Sequence, residues 1–192
     1  MAELADSGLD AKCQKLAENA RTALERGNLD YAIEACAEVL AKAPDCVAVR
    51  RLQRIAQLKR FRGKGRWATK GIGCVAALRG RICAQNDLPE ERWRVAERWL
   101  ASDPTSVAAL MLFGAAAMEL GRMETAVWAF AAVRELKPED GENLMMLGRA
   151  WLANGRPTEA LQSADAVLAK QPVNAAALDL MRRASIAEAK GE

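Results

Sequence analysis

"SVAALMLFGAAAMELGRMETAVWAFAAVRELKP", residues 106 to 138, contains two apolar segments of helical length with a glycine between them and a proline at the end. The first segment consists of good helix formers and stops at Gly121, where a C-terminal cap is expected. The second segment starts at Met123 and stops before Pro138, which cannot continue a helix. The stretch therefore predicts two antiparallel helices joined by a tight turn.

Prolines recur along the chain with a period of 34 residues, at Pro104, Pro138 and Pro172. Other residues keep the same period relative to these prolines: Gly80, Gly114 and Gly148; Gly121 and Gly155; Ala126 and Ala160; Val133 and Val167. A fixed period of this length is the sequence signature of an array of helix pairs. The unit 141–172 copies the first one, with Pro157 at a predicted first helical turn. A last helix starts at Asn174, a plausible N-cap, and becomes more polar toward its end.

The large, small and helix-breaking residues of the two units follow one pattern. It consists of Leu110, Phe113, Gly114, Gly121, Ala126, Phe130 and Pro138, and again of Leu144, Leu147, Gly148, Trp151, Gly155, Ala160 and Pro172. This pattern resembles the tetratricopeptide repeat, and residues 27–44 resemble the second helix of another such repeat. The chain is similar to small bacterial proteins built from these repeats. The resemblance implies an all-α fold, an α-solenoid of antiparallel helix pairs with a C-terminal capping helix.

The period is interrupted between Pro44 and Pro104, where one unit is eight residues short. A helix is predicted over 47–61, with Leu52, Ile55 and Ala56 on its buried face, and three glycines follow it within nine residues. The predicted domains are an N-terminal repeat with the basic helix (8–62), a glycine-rich basic connector (63–71) and a C-terminal array (72–190). That array comprises a degenerate repeat (72–104), two repeats (105–138 and 139–172) and a capping helix (174–190).

The chain has a basic stretch, residues 46–86, with eleven of the 28 basic residues and no acid. The rest of the chain holds 17 basic residues against 25 acidic ones. Arg50, Arg51 and Arg54 are expected to face water on the predicted helix 47–61. The candidate basic patch consists of Arg50, Arg51, Arg54, Arg60, Arg62, Lys64, Arg66 and Lys70. Such a patch is suited to nucleic acid or to an anionic membrane surface, and the alternative is a solvated surface that pairs with acidic groups.

The resemblance also implies a candidate binding site, because the first helix of each pair lines a concave groove in this family. The corresponding residues here are Met111, Met118, Glu119, Met145, Met146, Arg149, Leu152, Asp179 and Arg183. Methionines form an adaptable apolar surface suited to a helix or an extended peptide of a partner protein. For any single methionine, the favoured interpretation is that it fills the core. Self-association is a further alternative. The lysine and asparagine clamp of chaperone-binding members is not present, since Ala17 and Arg21 stand in its place.

The composition argues against catalysis. Histidine is absent, which removes the commonest general base and metal ligand. The five cysteines form no C-x-x-C pair, and Cys36 and Cys83 fall at helix-packing positions. Gly71-x-Gly73-x-x-Ala76 does not follow a strand, as a dinucleotide site requires. We therefore expect no cofactor, no metal and no enzymatic activity, and the polar opening sequence predicts a cytoplasmic protein.

Overall fold

The structure is a computed structural model that describes residues 9–63 and 88–191, and all regular structure in these ranges is α-helical. The helices are α1 (Ala11–Glu25), α2 (Leu29–Lys42), α3 (Val47–Gly63), α4 (Pro89–Ser102), α5 (Val107–Glu119), α6 (Met123–Leu136), α7 (Gly141–Ala153), α8 (Pro157–Leu168) and α9 (Ala175–Gly191). The predicted all-α fold of paired helices is confirmed. The predicted connector (63–71) and the first half of the degenerate repeat lie outside the described residues, apart from Gly63 at the end of α3.

Each turn inside a helix pair contains a glycine with positive φ. The φ angles of Gly27, Gly121 and Gly155 are 79°, 75° and 71°, a conformation in which a Cβ would be strained. After Gly121, the backbone N–H of Arg122 donates to the carbonyl of Ala117 over 2.8 Å, which closes a Schellman motif at the end of α5. The turns are therefore fixed by local backbone geometry, as their period in the sequence predicts.

The described helices divide between two compact units. The first unit contains α1, α2, α3 and residues 98–105, and the second contains residues 88–97 and α5 to α9. In the first unit, α2 packs against both α1 and α3, and α1 also contacts α3. Its core is built from small residues, among them Ala17, Ala20, Cys36 and Val39, which are almost fully buried.

The second unit is an array of two helix layers. Each helix from α5 to α9 packs against the next one, and α7 also contacts α5 and α9. The first helices of the successive pairs, α5, α7 and α9, thus form one layer, and the second helices α6 and α8 lie behind it. The core between the layers includes the fully buried side chains of Leu110, Phe113, Phe130 and Leu147.

Two glycines let neighbouring helices of the second unit approach closely. A Cβ on Gly114 would lie 2.7 Å from two ring carbons of Phe130, and a Cβ on Gly148 would lie 2.6 Å from Cδ2 of Leu180 and 3.0 Å from Cβ of Ser163. Such distances are shorter than normal packing contacts. The glycines of the repeat pattern are therefore required by packing between helices at these positions.

We expect Gly114→Ala to destabilise the second unit by up to about 2 kcal/mol. Alanine has the higher helix propensity, by about 1 kcal/mol, but overpacking against the fully buried Phe130 ring costs about 1–3 kcal/mol. The measurement is urea unfolding followed by circular dichroism.

The matched control for Gly114 is Gly141→Ala, because Gly141 opens α7 with no atom within 4 Å of a Cβ built there. This variant should be neutral or stabilised by about 0.5 kcal/mol. Gly114→Ala should regain stability when Phe130 is also changed to leucine, since the smaller side chain relieves the contact. If both glycine variants change stability equally, the proposed close approach of α5 and α6 does not determine the stability.

Candidate functional site

The candidate site is the face of the second unit formed by the first helices α5, α7 and α9. Residues at positions i, i+4 and i+7 of a helix share one face. In α7 these are Met145, Arg149 and Leu152. The residues 34 positions earlier and later occupy the same places on α5 and α9, and both of these helices contact α7. The repeat therefore aligns three rows of side chains across adjacent helices.

The structure leaves the predicted groove residues at least partly accessible. Met111, Met118, Met145, Met146 and Leu152 are half-buried, whereas Glu119, Arg149, Asp179 and Arg183 are exposed. The first-helix layer brings these residues onto neighbouring helices. The face thus combines partly covered apolar side chains with exposed charges.

Met145 also has a structural role. It packs against a buried cluster of Leu144, Val167 and Ala177, so part of its side chain fills space between α7, α8 and α9. Part of the Met145 side chain therefore fills the core, in agreement with the interpretation of the methionines as core residues. The part of the side chain that remains accessible contributes to the face.

One apolar residue of the face was missed by the sequence analysis. Ile186 is 49% exposed on α9 and lies 34 positions after Leu152, which itself lies 34 after Met118. We call these three residues the apolar row. The period of the prolines applied to Leu152 would have identified Ile186.

Glu119 is committed to an ion pair within the unit. Nη1 of Arg92 on α4 donates to Oε1 of Glu119 over 2.9 Å, and Nη2 of the same guanidinium donates to Oε2. This bidentate geometry neutralises the carboxylate. Glu119 is thus accessible, as predicted, but it contributes little net negative charge to the face.

An aromatic cluster next to this ion pair was not predicted. The ring centroids of Trp93 and Phe113 are 4.2 Å apart, and Trp128 meets Phe113 edge-on at 6.1 Å. The guanidinium of Arg122 lies 4.6 Å from the centroid of the Trp93 ring. The cluster joins the start of α4 to α5 and α6, and it anchors one end of the first-helix layer.

The basic patch differs from its prediction at two positions. Arg50 and Arg54 were expected to face water, but they are only 4% and 8% exposed. Nε of Arg50 donates to the carbonyl of Pro44 over 2.8 Å, and Nη1 of Arg54 donates to the carbonyl of Pro104 over 2.6 Å. These carbonyls lie just beyond the C-terminal ends of α2 and α4. Each of the two buried arginines therefore donates a hydrogen bond to the backbone at the end of another helix. The expectation is wrong because α3 buries a different face from the predicted one, and this face contains both arginines.

This difference in the buried face of α3 also exposes an apolar residue that was expected to be buried. Ile55 is 46% exposed, and Arg51, Lys59 and Arg62 are exposed on the same helix. Arg60 pairs with Asp30 at 3.0 Å and also reaches the carbonyl of Ala101 at 3.4 Å. The remaining members of the predicted patch lie outside the described residues: Lys64, Arg66 and Lys70.

The cysteines within residues 9–63 are buried free thiols. Cys13, Cys36 and Cys46 all belong to the core of the first unit. Burial raises the pKa of the Cys36 thiol to about 12, so this group stays protonated at neutral pH and is a poor nucleophile. The packing role predicted for Cys36 is confirmed, whereas Cys83 lies outside the described residues, as do Gly71, Gly73 and Ala76.

Neither a metal-binding group of side chains nor a membrane-spanning helix is found in residues 9–63 and 88–191. These ranges contain no group of three or more Cys, Asp and Glu side chains arranged to hold a metal ion. They also contain no helix with the length and apolar character needed to cross a membrane.

The sequence of residues 111–175 matches the family model of the tetratricopeptide repeat. This range starts within α5 and ends at the start of α9, so it covers most of the repeat 105–138 and all of the repeat 139–172. No curated protein matches the chain significantly in sequence. The predicted tetratricopeptide repeats are confirmed for residues 111–175.

Several solved tetratricopeptide-repeat structures are similar to this chain. The first such domain of Spaghetti (RPAP3), solved with the HSP90 peptide SRMEEVD bound, is 20% identical, covers 61% of this chain and 93% of its own, and has a TM-score of 0.57. MamA is 16% identical over 98% of this chain and 85% of its own, with a TM-score of 0.54. YrrB, a protein with an unusual peptide-binding site, is 17% identical, covers 87% of this chain and 90% of its own, and has a TM-score of 0.53. At these identities the similarity establishes the fold.

Proposed function

We propose that this tetratricopeptide-repeat chain is a non-catalytic scaffold that binds a peptide or helix of a partner protein on the first-helix face of its second unit. The observation that supports this most directly is the apolar row, Met118, Leu152 and Ile186, which remains partly accessible on three adjacent helices. A partly exposed row of large apolar side chains on a folded surface is typical of a protein-binding face.

The arrangement of the helix layers supports the same face. The first helices α5, α7 and α9 contact one another, whereas α6 and α8 do not contact each other to a comparable extent. Closer approach within one layer bends an array toward that layer. We therefore infer that the apolar row lies on the concave side of the second unit, where a bound segment buries more surface.

Similar structures support peptide binding as the mode of interaction. The Spaghetti (RPAP3) domain holds an HSP90 peptide, and YrrB is described by its peptide-binding site. The proposed absence of catalysis is supported by the lack of histidine and by the raised pKa of Cys36. Three buried free thiols also fit the proposed location in a reducing cytoplasm.

The alternative function, binding of nucleic acid or membrane through the basic stretch, has less support. Arg50 and Arg54 donate to backbone carbonyls, and Arg60 pairs with Asp30. Guanidinium groups used in this way are not available to neutralise phosphates. The alternative then depends on Lys59, Arg62 and the basic residues outside the described ranges.

Selection of binding peptides from a phage library of random dodecapeptides tests the proposed function. We expect the wild-type chain to enrich specific peptides. The double variant Leu152→Asp and Ile186→Asp should bind them at least about tenfold more weakly, because a carboxylate in an apolar contact is costly to desolvate. Fluorescence polarisation of a labelled, selected peptide gives the affinities.

The matched control places aspartate at two exposed apolar positions outside the face, Leu136→Asp with Val173→Asp. These side chains are 39% and 89% exposed. This control should bind the selected peptides like the wild type, and circular dichroism should show that both double variants are folded. If Leu152→Asp unfolds the second unit, Ile186→Asp alone still tests the face. Equal binding by the control and by the variants of the face would contradict the proposal.

A further inference from the structure

Helix α9 has an exposed face opposite the side on which it is buried. It packs against α7 and α8, and its stripe of Ala177, Leu180 and Ala184 is buried. Opposite this stripe, exposed residues follow one another at alternating spacings of three and four positions: Ala175, Leu178, Arg182, Ser185 and Ala189. We call these residues the outer seam. The spacing is that of the a and d positions through which two helices pair side by side.

The repeat indicates that the outer seam is a helix-packing surface. Leu178 lies 34 positions after Leu144, which is 5% exposed and packs against Val167 of α8. Leu178 itself is 47% exposed. Because equivalent positions of a repeat array make equivalent contacts, α9 presents at Leu178 an apolar position that a neighbouring helix covers on α7.

A helix placed on α9 as α8 is placed on α7 does not fit this face. Gly148 permits the close approach of α8, since a Cβ there would lie 3.0 Å from Cβ of Ser163. The residue 34 positions later is Arg182, whose larger side chain leaves no room for a helix at that distance. The occupant of the face is therefore a helix in another register, and it supplies a polar partner for the guanidinium that it covers.

The chain itself carries such a partner beside the outer seam. Oδ1 of Asp179 lies 3.1 Å from Nη2 of Arg182, and Oδ2 of the same carboxylate lies 3.9 Å from Nη1 of Arg183. These ion pairs are exposed, so exchanging the first of them for the same pair between two copies costs little. The face is thus self-complementary in charge, as an interface between two identical copies requires.

We propose that two copies of this chain associate through their outer seams, with the two α9 helices antiparallel about a two-fold axis level with Leu180. In this register, Leu178 of each copy lies opposite Arg182 of the other. Asp179 is offset from the same arginine by one residue, about 1.5 Å along the helix. The aliphatic part of Arg182 then covers Leu178, and its guanidinium reaches Asp179 of the other copy.

The rest of the outer seam fits the same arrangement. Ala175 of each copy lies opposite Ser185 of the other, and these small side chains leave room for the larger Leu178 and Arg182 between them. From Ala175 to Ala189 the seam is about 21 Å long, so the interface is small and the association is weak. None of these residues belongs to the apolar row, and the inference does not depend on the proposed function.

Sedimentation equilibrium of the chain at about 5–500 µM tests the inference. We expect a monomer–dimer equilibrium with a dissociation constant of about 10–100 µM. Leu178→Lys should weaken it at least about tenfold, because a cation then faces Arg182 of the other copy. The matched control is Val173→Lys, at an 89% exposed apolar residue in the turn before α9, which should dimerise like the wild type.

Two charge reversals give a sharper test. Asp179→Arg leaves only cations at positions 179 and 182, and Arg182→Asp leaves only carboxylates. Each variant by itself should therefore dimerise at least about tenfold more weakly than the wild type. Mixed in equal amounts, the two variants should form a heterodimer at least about tenfold more tightly than either dimerises alone, because each Asp then faces an Arg. The combined variant, Asp179→Arg with Arg182→Asp, should recover self-association for the same reason.

The control for charge is Asp165→Arg, which makes the same change at an exposed aspartate of α8 and should leave the association unchanged within about twofold. Circular dichroism should show that all variants are folded, since every changed residue is exposed. A wild-type chain that stays monomeric at about 500 µM overturns the inference. It is also overturned if Leu178→Lys associates like the wild type, or if the mixture of the two charge variants associates no more tightly than either variant alone.

Discussion

Replacing Phe113 with alanine is expected to lower the free energy of unfolding of the second unit by about 3–5 kcal/mol, the largest effect of any substitution considered. Phe113 is fully buried, its ring centroid lies 4.2 Å from that of Trp93, and Trp128 meets it edge-on. Truncation leaves a cavity between α4, α5 and α6 and removes both ring contacts. Urea unfolding followed by tryptophan fluorescence and circular dichroism measures the change.

The control for Phe113 is Leu136→Ala, since Leu136 lies at the end of α6 and is 39% exposed. This change should cost less than about 1 kcal/mol, because little buried surface is lost. A variant Phe113→Leu should recover more than half of the loss, since it refills most of the cavity. If Phe113→Ala costs no more than Leu136→Ala, the aromatic cluster does not hold the second unit together.

The second large effect is expected from Arg54→Ala, which should destabilise the first unit by about 2–4 kcal/mol. The side chain is 8% exposed, and its guanidinium donates to the carbonyl of Pro104, 50 residues later in the sequence. Removal leaves a buried acceptor without this donor and also loses the packing of the aliphatic part of the side chain. Urea unfolding with circular dichroism is again the measurement.

Arg62→Ala is the matched control for Arg54, because it removes the same charge from the same helix at an exposed position. Its effect should stay within about 0.5 kcal/mol. Equal effects of the two substitutions would show that the contact to Pro104 has no structural role. The same comparison separates folding from phosphate binding. A loss of phosphate binding in the Arg54 variant would reflect unfolding, whereas a loss in the folded Arg62 variant would reflect binding itself.

The helix pairs of the second unit could be predicted from the sequence because their boundaries depend on nearby residues. Gly121 and Gly155 adopt positive φ where the period places them, and Pro157 opens α8. The N–H of Ala177 donates to Oδ1 of Asn174 over 3.0 Å, as expected for the predicted N-cap. Each of these signals acts within one or two helical turns, so a short window of sequence contains all of it.

The candidate site could be predicted only in part. The repeat pattern placed Met118, Arg149 and Leu152 on the first helices, and the structure leaves these side chains accessible. The charge that the face presents could not be predicted, because it depends on the pairing of Glu119 with Arg92 from an earlier helix. Such a pairing requires knowledge of which helices are neighbours in space.

What the sequence by itself determined is the period, the helix pairs and the turns between them, since these follow from backbone conformations that individual residues prefer. Only the tertiary structure decided which side of α3 is buried. In isolation Ile55 belongs inside and Arg54 outside, yet the structure reverses both, because the carbonyl of Pro104 supplies an acceptor for the guanidinium. A buried charge is stabilised by the partner it meets, and that partner is 50 residues away in the chain.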